Sequence, residues 1–63
     1  MDRLAIPDFQ RKYPNARRFT SLAKARLHHQ VHGGTLWHAE KAMMVAGYPS
    51  GKAPLFAVVP TGG

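Results

Sequence analysis

Thr35-Leu36-Trp37-His38-Ala39-Glu40-Lys41-Ala42-Met43-Met44-Val45-Ala46-Gly47 is the stretch on which the fold turns. From Ala39 onward its residue types favour helix, with Thr35 as a cap and Gly47 as a stop, which would make a helical hairpin. The competing reading starts a strand at Thr35 and makes Met43 to Ala46 one arm of a hairpin closed by Tyr48-Pro49-Ser50-Gly51-Lys52. The downstream sequence favours the second. Leu55-Phe56-Ala57-Val58-Val59 is a short apolar run with Pro54 before it and Pro60 after it, the pattern of a buried strand. A lone strand leaves its backbone groups unpaired, so Met43 to Ala46 is expected to pair with Leu55 to Val59.

Upstream, Thr20 or Ser21 can cap a helix that Gly33-Gly34 ends, which predicts a helix from about Ser21 to His32. On a helical wheel Ala23, Leu27 and Val31 form one apolar stripe, flanked by Lys24 and Arg26, with His28, His29 and His32 on another side. Leu27 and Val31 are therefore expected in the core. The fold class that follows is α+β, one amphipathic helix packed on a two- or three-stranded antiparallel sheet. A helical hairpin plus a C-terminal strand is the alternative.

The first 15 residues carry Pro7 and Pro14 around Asp8-Phe9-Gln10-Arg11-Lys12-Tyr13, room for about one helical turn with Phe9 and Tyr13 four apart. This segment either docks through its two aromatics or stays a mobile basic arm. The division expected is an arm over 1–15, one small domain over 16–60 and a frayed tail, Thr61-Gly62-Gly63.

The charge is uneven. Nine Lys and Arg against three acids give +6 over 63 residues. Arg3, Arg11, Lys12, Arg17, Arg18, Lys24 and Arg26 against Asp2 and Asp8 place +5 of it by residue 26; Lys41, Lys52 and Glu40 leave +1 for the rest. Acidic partners are favoured by such a field. The chain has no cysteine, so disulfides and thiolate zinc sites are excluded, and a core this small points to a partner or a homodimer for added stability. Absence of cysteine fits the cytoplasm. No apolar run has membrane-spanning length, and no signal peptide is evident.

Two patterns suggest binding chemistry. Arg11, Lys12, Arg17, Arg18, Lys24 and Arg26, interleaved with Phe9, Tyr13 and Phe19, could follow a phosphate backbone, and Arg17-Arg18-Phe19-Thr20-Ser21 leads into a helix N-terminus that favours anions. Trp37 and Tyr48 are candidate contact residues, since each joins a large ring to a polar edge. His28 and His32, four apart, could reach one metal ion with His29 or His38, but His29 stands where a metalloprotease helix needs its Glu, so protease chemistry is rejected. Gly47-Tyr48-Pro49-Ser50-Gly51-Lys52 misses phosphate-loop spacing and reads as a turn. With only Asp2, Asp8 and Glu40 to orient a catalytic histidine, no enzyme, cofactor or resident metal is expected.

The capped helix Phe19-Thr20-Ser21-Leu22-Ala23-Lys24-Ala25-Arg26 through His32-Gly33-Gly34, running into Thr35-Leu36-Trp37, resembles the organisation of small phage or prophage accessory proteins, including some anti-CRISPR inhibitors. That resemblance implies a host-takeover or defence-inhibition role and carries no functional residues across. The expected function is a small basic binding protein that inhibits a host protein or nucleoprotein complex through its basic face. Direct binding of DNA or RNA is the alternative.

Overall fold

The computed structural model describes residues 3–61. In chain order they form β1 (Arg3–Ala5), α1 (Ile6–Lys12), β2 (Arg17–Phe19), α2 (Leu22–His32), β3 (Thr35–Glu40), β4 (Met43–Ala46) and β5 (Phe56–Val59). The five strands make one sheet in the order β1-β4-β3-β5-β2, and every pairing is antiparallel. The α+β class is as expected, but the sheet has five strands where two or three were expected.

Residues 35–46 are a β-hairpin, and the helical-hairpin alternative falls. β4 pairs with β3, Trp37 opposite Ala46 through Glu40 opposite Met43, and β5 pairs with the other edge of β3. The expected pairing of β4 with β5 is thus corrected: β3 lies between them. The hairpin turns over Lys41 and Ala42, with Lys41 at φ 58°. Two-residue hairpin turns need a positive φ, which Asn-Gly or Gly usually supplies. Here a lysine supplies it, inside Ala39-Glu40-Lys41-Ala42, and so the turn reads locally as helix.

β3 is covered on both sides. Its residues Leu36 to Ala39 are all buried, so it shows no alternation of apolar and polar residues. On one face Trp37 and Ala39 pack with Phe9, Met44 and Ala57 beneath α1; on the other, Leu36 packs with Phe56, Val58 and Ala25 beneath α2. The result is three layers, helix on sheet on helix.

The N-terminal segment belongs to this body. Pro7 sits in the first turn of α1, where the missing N–H costs nothing, and the helix ends before Pro14. Phe9, Tyr13 and Trp37 form a triangle of tilted rings with centroids 5.0–5.7 Å apart. Of the two readings of this segment, docking is the one the structure shows. Trp37, expected at a contact surface, is 3% exposed at the base of this triangle. Gly62 and Gly63 of the expected tail lie outside the described residues.

The rotation of α2 is the largest departure from expectation. The side turned to the sheet carries Leu22, Ala25, His28 and His29, while Leu27 and Val31 are 62% and 66% exposed. The stripe Ala23-Leu27-Val31 exists but faces outward. Ala25, with no exposed surface, is packed with Leu36, Phe56 and Val58. A methyl group there brings the helix close to the sheet, and the closeness leaves no room for a leucine.

Candidate partner-binding surface

The expected contact residues do not share one face. Arg17 and Arg18 are consecutive in the edge strand β2, so they point to opposite sides of the sheet. Arg17 is on the α2 side. Arg18 is on the α1 side, where it borders a groove of about 370 Å³ together with Phe9, Tyr13 and Leu55. Arg11 is bonded to Asp8 at 2.8 Å on the exposed side of α1, and Lys12 lies 5.6 Å from the Tyr13 ring centre. Ser21 is the N-cap of α2 but makes no side-chain capping bond, so the expected hydroxyl contribution at that helix start is not in place.

α2 gathers a surface that periodicity placed in the core. Its outer side presents Ala23, Leu27 and Val31, with Lys24 on one flank and Arg26 on the other. Arg26 lies 5.9 Å from the ring centre of Tyr48, itself 54% exposed. The helix contains five basic or imidazole side chains and no carboxylate. Of the residues singled out in the sequence, Lys24, Arg26 and Tyr48 thus lie on or beside this face, and Leu27 and Val31 are the ones missed. The one available signal was Ala25 itself, a small residue in phase with Leu22 and His29 that allows close approach to a sheet.

The histidines divide between two places. His28 and His32 stack at 4.5 Å between ring centres on the β2 side of α2, where His28 also packs against Phe19 at 5.3 Å. His38 is buried in the middle of β3, its Nδ1 2.7 Å from the Gly47 carbonyl oxygen and its Nε2 3.5 Å from Glu40 Oε2. Nδ1–H donating to Gly47 fixes the ring and ties β3 to the chain leaving β4. Among the described residues no three His, Asp or Glu side chains are grouped to hold a metal ion. His28, His32 and His38, the candidates considered from sequence, are not gathered into one such group. No helix among the described residues is long and apolar enough to cross a membrane. Compared with known proteins, the chain matches no protein-family model, no curated protein and no solved structure.

Proposed function

We propose that this chain is a small, basic, non-enzymatic binding protein that seats the outer face of α2 on an acidic surface of a host protein or nucleoprotein complex. In this reading it acts in the host cytoplasm as a phage-type inhibitor, in the manner of anti-CRISPR proteins. The observation that carries it is the Leu27–Val31 pair, exposed on a helix flanked by Lys24 and Arg26 and free of acidic residues. Burying each of these two side chains in a partner is worth roughly 1.5–3 kcal/mol, and the flanking cations select an acidic rim. A second copy fits less well, because apposed α2 faces would bring like charges together.

Direct nucleic-acid binding has less support. The aromatics that could stack on bases are engaged internally: Phe9 and Tyr13 with Trp37, and Phe19 with His28. Arg17 and Arg18 diverge, and Arg11 has Asp8 for a partner.

Affinity capture from nuclease-treated bacterial lysate tests the proposal. A discrete partner should be retained by the native chain, lost with Leu27→Glu/Val31→Glu, and weakened by Arg26→Glu. Capture unaffected by the double substitution would sink it. So would capture that disappears with nuclease while the purified protein binds DNA or RNA with a steep dependence on salt.

A further inference from the structure

We propose that the seam between β2 and α2 is a binding site for a phosphoryl dianion, held by Arg17, His28 and His32 beside the ring of Phe19. The site is separate from the outer face of α2 and does not depend on the function proposed for that face.

Three groups that are cationic or can become so converge on this seam. Arg17 and Phe19 alternate in β2 on the side that α2 covers, and Phe19 stacks on His28, which in turn stacks on His32. Lys24 is one turn before His28. Beneath α2 the strands offer Leu36 of β3 and Phe56 and Val58 of β5, with His38 opposite Phe56 on the same face and held by the Gly47 carbonyl. On α2 itself His29 also turns toward the sheet, its Nδ1 buried without a partner among the described residues. Neither described carboxylate is near: Asp8 is held by Arg11 on α1, and Glu40 is at the far end of β3 against His38. Among the described residues the seam holds no counter-ion for Arg17.

The pKa of His28 is lowered, first by desolvation and then by the neighbouring charges of His32 and Arg17. An anion would reverse the two charge effects. Two imidazoles four apart on a helix could instead hold a cation, but the guanidinium of Arg17 opposes one, and among the described residues no third ligand joins them. A phosphoryl group suits the seam better than a carboxylate. It carries close to two negative charges and three acceptor oxygens for an arginine fork and two imidazolium N–H groups.

Sulfate provides the cleanest probe, because it stays a dianion while His28 gains its proton. In NMR titrations at constant ionic strength, sulfate should shift the imidazoles of His28 and His32 saturably and chloride should not. Binding should be about tenfold tighter or more at about pH 5.5 than at about pH 8. Arg17→Gln and His28→Gln should each weaken it about fivefold or more, with an unchanged amide spectrum elsewhere, and Arg11→Gln should leave it unaltered. Inorganic phosphate and a short oligothymidylate with a 5′-phosphate should perturb the same residues, the oligomer lacking that phosphate much less. Equal effects of sulfate and chloride, equal effects of the two oligomers, or saturable binding of zinc in place of sulfate would each overturn the proposal.

Discussion

Gly33 and Gly34 both have left-handed backbones, φ 75° and 92°, but only the second is wedged against a neighbour. A Cβ on Gly33 would meet open space, whereas one on Gly34 would run into the carbonyl group of Val59 at the end of β5. Gly33→Ala should therefore cost about 1–3 kcal/mol, the backbone penalty alone, because φ 75° with ψ −156° is a conformation that almost only glycine adopts. Gly34→Ala should cost about 3 kcal/mol or more, because the β3–β5 pairing must also shift. Urea denaturation measures both, and equal losses would show that Gly34 is not a packing residue. The sequence marks the pair as a helix stop, and so it is. What local sequence lacks is the identity of the strand end that passes behind Gly34, which comes from 25 residues downstream.

The behaviour of α2 is decided at the scale of the element. Ala25→Leu should destabilise by about 2 kcal/mol through overpacking against Leu36 and Phe56. Leu27→Gln and Val31→Gln should each change stability by less than about 0.5 kcal/mol, since neither residue is in the core. The opposite ranking in thermal or urea melts would mean that the helix is rotated as its apolar periodicity implied. Helix bounds were legible here because Ser21 and the Gly33-Gly34 pair mark them. Facing was not, because three apolar residues in phase do not outweigh the close fit that Ala25 allows. β5 was legible from its proline-bounded apolar run. β1 and β2 were not: Arg3-Leu4-Ala5 and Arg17-Arg18-Phe19 are strands only because β4 and β5 pair with them. Of the proposed surface, Lys24, Arg26 and Tyr48 were legible from charge and ring chemistry. Trp37 looked the same by that criterion and is core.

For the whole molecule, a radius of gyration of 10.5 Å matches the roughly 10–11 Å expected of a compact chain of this length. The fold closes on itself, with a helix over each side of the sheet, so a partner adds to a finished body. Its stability should nonetheless depend on pH through His28. A histidine with a lowered pKa favours the neutral form in the folded state. Its contribution is present above the unfolded value near 6.5 and is lost as pH falls through the lower folded value. Melting temperature should accordingly drop on acidification below about pH 6.5, and His28→Gln should flatten that drop; an unchanged slope would exclude His28 as its source.

Both borders of the sheet are three-residue strands bearing exposed arginines, Arg3 on β1 and Arg17 and Arg18 on β2. Charge of one sign along open edges keeps copies from adding strand to strand. That protection is only as durable as the charge. A polyanion that neutralises it would remove the barrier to edge pairing while concentrating the copies along one polymer. Solutions titrated with heparin or polyphosphate should turn turbid near charge balance and clear again in polyanion excess, so such polymers are unsuitable as inert competitors in purification.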